Sequence, residues 1–204
     1  MPSVIFPGPE GRLEGRFQPA SRARAPVAMI LHPHPQAGGT MNDRITQHLD
    51  KTFSDRGFAT LRFNFRGVGA SAGAYDEGRG ELDDLLAVVA KQAPLDQPLL
   101  LAGFSFGAFV TAGAIARLHT QRPIAGAVLV GTAASRFAVP PVPPELHPQT
   151  LVVHGELDET VPLASVMDWA RPQSLPVTVV PGGEHFFHGQ LPLLKSLVVR
   201  HARA

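Results

Sequence analysis

Short apolar runs alternate along the chain with segments of helical periodicity, and polar or glycine-rich turns separate them. Val27–Leu31 is the first clear strand-like run. After it, Ile45, Leu49 and Phe53 recur at i, i+4 and i+8, the spacing of an amphipathic helix, and the pattern stops at Gly57. A strand, a turn and a helix in this order are typical of the repeating unit of a parallel sheet.

The same alternation continues to the end of the chain. The further predicted strands are Phe58–Phe65, Pro98–Ala102, Ala125–Val130, Thr150–Val153 and Val177–Val180. The further predicted helices cover Leu82–Val89, Ala108–Leu118, Pro162–Ala170 and Pro192–Arg200. Ser3–Pro19 is expected to hold one or two edge strands, and the proline-rich Val139–Pro148 an irregular connection. The fold class is therefore α/β, with a mostly parallel twisted sheet of about six to eight strands and helices on both faces.

Length and composition fit one domain over residues 1–204. Hydrophobic residues make up 44% and charged residues 17%, a balance typical of a globular core. The 20 glycines and 20 prolines lie between the apolar runs, where they indicate turns. A chain of 204 residues leaves little room for a large inserted lid domain.

Charge and hydropathy exclude several function classes. The net charge is +1 and the basic residues are scattered, so no patch for nucleic acid is expected. Apolar runs such as Leu99–Ala102 and Ala127–Val130 are far short of the ~20 residues that span a membrane. Met1–Gly15 lacks the apolar core of a secretory signal, and we expect a cytoplasmic protein. The absence of cysteine excludes disulfides, cysteine nucleophiles and thiolate metal sites.

The most informative motif is Gly103–Gly107, which reads G-x-S-x-G around Ser105. It lies between the predicted strand that ends at Ala102 and the predicted helix Ala108–Leu118. A tight strand-to-helix turn of this kind presents a serine hydroxyl at the helix N-terminus, where free N–H groups stabilise negative charge. Ser105 is therefore the candidate nucleophile.

A serine hydroxyl needs a base to remove its proton. His185 follows the strand Val177–Val180 through a short loop, which places it at the sheet edge where Ser105 is expected. His188 is the competitor, but it lies closer to the last helix. The alternative for either histidine is a place on the loop surface.

The base in turn needs a carboxylate that orients its ring. Asp158 follows the strand Thr150–Val153 and is the preferred candidate, although it could instead cap the helix near Pro162. Glu156 is a nearer alternative, but it lies closer to the strand. The order serine, aspartate, histidine along the chain is that of the α/β-hydrolase arrangement.

An oxyanion hole requires two N–H donors. One is expected from Phe106, the residue after the nucleophile, and the other from the turn after the first parallel strand. Pro33 and Pro35 have no N–H, so His34 is the candidate, with Gln36 behind it. The alternative is that the prolines only stiffen the turn.

These motifs together resemble the α/β-hydrolase superfamily, and within it the small lid-less hydrolases related to dienelactone hydrolases and short-chain esterases. The matching segments are His32–Pro35, Gly38–Met41, Asn64–Ser71, Gly103–Gly107, His154–Glu159 and Gly183–Phe187. The resemblance implies the α/β-hydrolase fold and serine-dependent hydrolysis without a cofactor. The resemblance also implies that Ser105, Asp158 and His185 correspond to the catalytic triad of the superfamily. Dienelactone hydrolases proper use a cysteine nucleophile, which this chain lacks.

The predicted substrate is a small or slender carboxylic ester, cleaved through an acyl-enzyme. Phe104, Phe106 and Phe186 are candidate pocket walls, and Val139–Pro148 is a candidate cover. The expected partner is this small molecule, with no metal, nucleic acid or membrane, in a monomer or a homodimer. Thioesterase, lactonase and peptidase chemistry remain alternatives, because the fold hosts them all.

Three other hypotheses rest on weaker features. His32 and His34 resemble the metal-binding opening of amidohydrolases, but that barrel needs ~250 residues. Gly67–Gly69 lacks the spacing of a dinucleotide-binding loop. A non-catalytic binding scaffold would have no use for a base and its orienting carboxylate.

Overall fold

The computed structural model describes residues 3–202, and in this part of the chain eight strands form one sheet. The strands are β1 (Val4–Gly8), β2 (Gly11–Gln18), β3 (Val27–Leu31), β4 (Ala59–Phe63), β5 (Leu99–Phe104), β6 (Ile124–Val130), β7 (Thr150–Gly155) and β8 (Val177–Val180). Their order across the sheet is β1-β2-β4-β3-β5-β6-β7-β8. β1, β2 and β4 pair antiparallel, and every pairing from β4 to β8 is parallel. The expected mostly parallel sheet is therefore confirmed.

Within residues 3–202, five α-helices connect and cover the strands. They are α1 (Arg44–Asp55), α2 (Arg79–Gln92), α3 (Phe106–Leu118), α4 (Leu163–Ala170) and α5 (Leu191–His201). Asp43 caps α1, since its carboxylate accepts hydrogen bonds from the N–H groups of Ile45 and Thr46. Pro162 stands just before α4 and Pro192 is the second residue of α5, positions that cost no hydrogen bond within a helix.

The structure refines several predicted bounds. β4 ends at Phe63, two residues before the predicted end, whereas β5 continues to Phe104. Ser3–Pro19 holds the hairpin of β1 and β2. Within Val139–Pro148 the chain is irregular until a short 3-10 helix begins at Pro144.

Two apolar clusters cover the two faces of the sheet, which explains why β3, β4 and β5 are buried along their whole length. On one face Met29 and Leu101 pack with side chains of α2 and α3 such as Val88. On the other, Ile30 packs with side chains of α1 and α5 such as Phe53. α3 is apolar nearly all round because it lies inside the first cluster.

The carboxyl ends of the parallel strands meet at one edge of this sheet. The loops after β3, β5, β6, β7 and β8 leave from that edge, where α/β sheets bind their ligands. Among residues 3–202, no helix is long and apolar enough to cross a membrane.

Candidate active site

Ser105 lies at the sharp turn between β5 and α3. Its backbone has φ 56° and ψ −114°, a region that residues other than glycine rarely occupy. The Ser105 N–H donates to the carbonyl of Val130 on β6 at 2.8 Å, which ties the strained residue to the sheet. Strain of this kind costs about 1–3 kcal/mol and persists only where surrounding structure holds it.

The two glycines of the motif allow this turn because nothing larger fits. A Cβ atom at Gly103 would lie 2.3 Å from the carbonyl oxygen of Gly107. A Cβ atom at Gly107 would lie 2.5 Å from the carbonyl oxygen of Leu31 on β3. The sequence G-x-S-x-G is thus dictated by close backbone contacts on both sides of the serine.

Ser105, His185 and Asp158 form one chain of hydrogen bonds. The Ser105 Oγ lies 3.1 Å from His185 Nε2, and His185 Nδ1 lies 2.6 Å from Asp158 Oδ2. The residues are 7%, 5% and 5% exposed, so water competes little for these bonds. The other carboxylate oxygen of Asp158 accepts the N–H groups of Thr160 and Val161 at 3.0 and 2.7 Å. The geometry is that of a nucleophile, a base and its orienting group.

The competing residues lie elsewhere. His188 is exposed and its Nδ1 lies 2.7 Å from a carboxylate oxygen of Glu184. Glu156 is exposed and accepts the N–H of Gly182 at 2.8 Å. Neither residue hydrogen-bonds to Ser105 or His185.

His154, for which the sequence predicted no role, is a second histidine at the Asp158 carboxylate. It is fully buried, and its Nε2 donates to the carbonyl of Val161 at 2.8 Å and lies 3.4 Å from Asp158 Oδ2. Burial lowers the pKa of His154, so the ring is neutral at neutral pH. Its position at the end of a buried strand, four residues before Asp158, was the available sequence signal.

Both expected oxyanion donors flank the space in front of Ser105. Within residues 3–202, the backbone N–H groups of His34 and Phe106 have no hydrogen-bond acceptor. The N–H of Gln36, in contrast, donates to His34 Nδ1 at 3.2 Å. Two free donors beside a helix N-terminus can receive a developing oxyanion.

His32 holds the turn that carries His34. Its Nδ1 donates to the carbonyl of Pro33 at 2.7 Å, and its Nε2 accepts the N–H of Phe65 at 3.0 Å. Burial lowers the pKa of His32 to about 4, so the ring stays neutral. Both ring nitrogens are thereby bound to the main chain, and residues 3–202 contain no cluster of three potential metal ligands.

A cavity of about 420 Å³ opens in front of Ser105, and we call it the active-site cavity. Its walls come from the loops after β3, β6, β7 and β8. The lining residues are Pro33, His34, Gln36–Gly39, Asp43, Ser105, Phe106, Ala133, Arg136, Phe137, Thr160, Val161, His185 and Phe186. Arg136, Phe137 and Asp43 were not expected, since nothing in the local sequence pattern marks them.

Two expected parts of the pocket lie outside it. Phe104 is fully buried on the opposite face of β5, where its ring supports that of His185 at a centroid distance of 4.9 Å. Side chains alternate between the two faces of a strand, and this position points into the core. No residue of Val139–Pro148 lines the cavity, because Ala133, Arg136 and Phe137 form that wall instead. Phe106 and Phe186 do line it.

Comparison with known proteins decides the family. The model of the family described as serine aminopeptidase, S33, matches residues 37–147. A protein of unknown function from Agrobacterium tumefaciens is 36% identical, with a TM-score of 0.85 over 98% of this chain and 94% of that one. A serine hydrolase without a lid from Xanthomonas campestris is 34% identical, with a TM-score of 0.82 over 98% and 92%. The chain belongs to the α/β-hydrolase superfamily of serine hydrolases.

A curated relative of this α/β hydrolase is an uncharacterized protein of Rickettsia prowazekii. It is 45% identical over 113 residues, which are 54% of this chain and 48% of that protein. The chain thus spans about half the length of the curated relative it matches. The fold is shared over nearly the whole chain with the two solved structures, of which the Xanthomonas campestris protein is described as having no lid.

Proposed function

We propose that this α/β hydrolase cleaves small carboxylic esters through an acyl-enzyme formed on Ser105. The observation that carries the proposal is the buried hydrogen-bond chain from Ser105 through His185 to Asp158, which opens onto the active-site cavity. A serine hydroxyl within reach of a neutral imidazole can lose its proton as it attacks a carbonyl. A hydroxyl placed this way has little structural purpose of its own.

Acylation follows from the geometry. His185 Nε2 accepts the Ser105 proton as Oγ attacks the ester carbonyl, and Asp158 stabilises the imidazolium that forms. The N–H groups of Phe106 and His34 stabilise the oxyanion of the tetrahedral intermediate. His185 then donates its proton to the leaving alcohol, and an acyl ester remains on Ser105.

Deacylation repeats the same steps with water. His185 removes a proton from a water molecule that attacks the acyl carbonyl. The same two N–H groups then stabilise the oxyanion of the second tetrahedral intermediate. Collapse of this intermediate releases the acid and returns the proton to Ser105 Oγ. The chain's own residues suffice for every proton transfer in this cycle.

The matching family model names an aminopeptidase, and peptide hydrolysis is therefore the second candidate. An aminopeptidase substrate carries an ammonium group near the scissile bond, which a site with unsatisfied carboxylates would attract. Among the described residues that line the cavity, Asp43 is the one acidic residue, and its carboxylate already caps α1. The cavity also holds a cation, Arg136. These charges favour an ester over an amino-terminal peptide.

A substrate panel distinguishes these activities. p-Nitrophenyl acetate and butyrate test ester cleavage, an acyl thioester tests thioesterase activity, and leucine p-nitroanilide tests aminopeptidase activity. We expect the esters to have the highest kcat/KM, and Ser105→Ala to abolish their turnover. Ser135→Ala, an exposed serine on a neighbouring loop, is the matched control and should retain the native rate. Faster cleavage of the anilide than of the esters would overturn the proposal.

A further inference from the structure

Arg136 lies in the loop after β6 and lines the active-site cavity together with Ser105 and His185. Among the described residues of that lining it is the one lysine or arginine. The exposed guanidinium therefore brings a positive charge to a site in which Asp43 is the one acidic residue among the described lining residues.

The Arg136 guanidinium is unpaired among the residues that the structure describes. Within residues 3–202 it makes no hydrogen bond and no salt bridge, whereas the buried Arg62 and Arg66 are each paired with an aspartate. Exposed arginines such as Arg117 are also unpaired in this part of the chain, so the absence of a partner is ordinary at the surface. What distinguishes Arg136 is that it lines the same cavity as Ser105.

The loop that carries Arg136 is held in place. The N–H groups of Arg136 and Phe137 both donate to the carbonyl of Ala133, at 3.2 and 3.1 Å. The Phe137 ring stacks on Phe109 at 4.7 Å and meets Phe106 edge-on at 5.2 Å. A fixed backbone reduces the entropy lost when the side chain orders around a ligand.

The charges nearby leave the positive potential of Arg136 largely uncompensated. The Asp43 carboxylate accepts hydrogen bonds from the first turn of α1, where the helix dipole offsets its charge. Partial burial lowers the pKa of His34, and the charge of Arg136 lowers it further. Glu81, which acts on His34 in the opposite direction, is fully buried and already accepts the N–H groups of Asp76 and Gly78.

We propose that Arg136 binds a carboxylate carried by the substrate at a distance from the scissile bond, so that the preferred substrates are esters of dicarboxylic acids. This inference rests on the proposed esterase function. A guanidinium presents parallel N–H donors that match the two oxygens of a carboxylate, which makes arginine well suited to this group. The apolar walls of Phe137 and Val161 can accommodate the methylene chain between the two ends of such a substrate.

The test compares two esters of one acid. Mono-p-nitrophenyl adipate carries a free carboxylate, and methyl p-nitrophenyl adipate is its neutral counterpart with the same leaving group. We expect the ratio of kcat/KM for the anionic and the neutral ester to fall about tenfold in Arg136→Gln. Arg136→Lys should retain part of the ratio because the charge remains. Arg117→Gln, which removes an exposed charge outside the cavity, should leave the ratio unchanged, and salt should reduce the native ratio.

Calorimetric titration of both esters into Ser105→Ala separates binding from chemistry. We expect Ser105→Ala to bind the anionic ester more tightly than the neutral one, and the double variant Ser105→Ala, Arg136→Gln to lose this difference. That result supports the carboxylate site even if the native chain hydrolyses neither ester. In that case only the proposed esterase function fails. Equal binding of the two esters, or a kcat/KM ratio that Arg136→Gln does not change, would overturn the role of Arg136.

Discussion

The His185 Nδ1 atom lies 2.6 Å from Asp158 Oδ2, and both side chains are almost fully buried. The second oxygen of the same carboxylate is held by the N–H groups of Thr160 and Val161. Asp158 is therefore fixed at one end by the main chain and binds the imidazole at the other. This arrangement selects the tautomer with the proton on Nδ1, and it leaves Nε2 free to accept the proton of Ser105.

Replacing Asp158 by asparagine should preserve the fold and disable the base. The amide oxygen can still accept the N–H groups of Thr160 and Val161, which turns the NH₂ group towards His185 Nδ1. The imidazole then carries its proton on Nε2 and cannot accept one from Ser105. We expect kcat for p-nitrophenyl butyrate to fall about 10⁴-fold, with little change in the melting temperature.

Glu156→Gln is the matched control, since Glu156 is an exposed carboxylate on the same loop that bonds Gly182. It should retain the native kcat. A larger loss in Glu156→Gln than in Asp158→Asn would mean that the orienting carboxylate has been misassigned.

His185 and His188, both in the loop after β8, should differ sharply in the effect of their replacement on kcat. His185→Ala removes the proposed base and should lower kcat by at least about 10³-fold, whereas His188→Ala removes an exposed ring paired with Glu184. Surface ion pairs contribute about 0–1 kcal/mol, so His188→Ala should retain both activity and stability. Steady-state kinetics on both variants checks this, and equal losses would contradict the assignment of the base.

The sequence was sufficient for the parallel strands and for Asp158 and His185, which lie in one hydrogen-bond chain with Ser105, because each follows the end of a predicted strand. An apolar run that ends in a glycine-rich turn determines both the strand and the edge at which its next residue lies. The order of Ser105, Asp158 and His185 then brings three loops to one place. The positions of strand ends, and of the residues that follow them, can therefore be predicted from local sequence patterns.

The cavity walls were harder to predict. Phe104 and Phe106 are two residues apart in a motif, yet one supports His185 from the core and the other lines the cavity, since the chain turns sharply at Ser105. Arg136 lies in a loop without a periodic pattern, and only the tertiary fold shows that this loop lines the cavity in front of Ser105. The sequence places His154 directly after a predicted strand, and only the structure shows that its ring lies close to Asp158.

Gly107→Ala should destabilise the protein, because its Cβ would lie 2.5 Å from the carbonyl oxygen of Leu31 and 2.6 Å from that of His32. Backbone atoms cannot yield without moving β3, and overpacking of this kind costs about 1–3 kcal/mol. Urea unfolding measures the loss. Gly113→Ala on the same helix meets only the flexible end of Leu82 at 3.3 Å, and its effect should stay below about 1 kcal/mol. Equal stability of the two variants would contradict the contact.

The neutral buried His32 should make stability depend on pH. Its pKa is lowered from 6.5 to about 4 in the folded protein, so the unfolded chain binds the extra proton between these values. Stability from this residue is thus present above pH 6.5 and is lost as the pH falls towards 4. Between neutrality and pH ~5 the loss from His32 is on the order of 2 kcal/mol.

His32→Gln offers an oxygen to the Phe65 N–H without a titrating group, so it should lower stability at neutral pH yet show a smaller loss on acidification. Urea unfolding at both pH values measures this difference. Other buried histidines contribute equally to the pH dependence of stability in the native chain and in His32→Gln, so their contributions cancel in the difference. The same pH dependence in the variant would show that His32 does not titrate as its burial implies.

The most direct test of the central claim, that Ser105 is an activated nucleophile, is labelling with a fluorophosphonate probe followed by mass spectrometry. We expect one adduct on the native chain, located at Ser105, with normal labelling of Ser135→Ala and none of Ser105→Ala or His185→Ala. Absence of an adduct on the folded native protein, or an adduct that persists in Ser105→Ala, would contradict it.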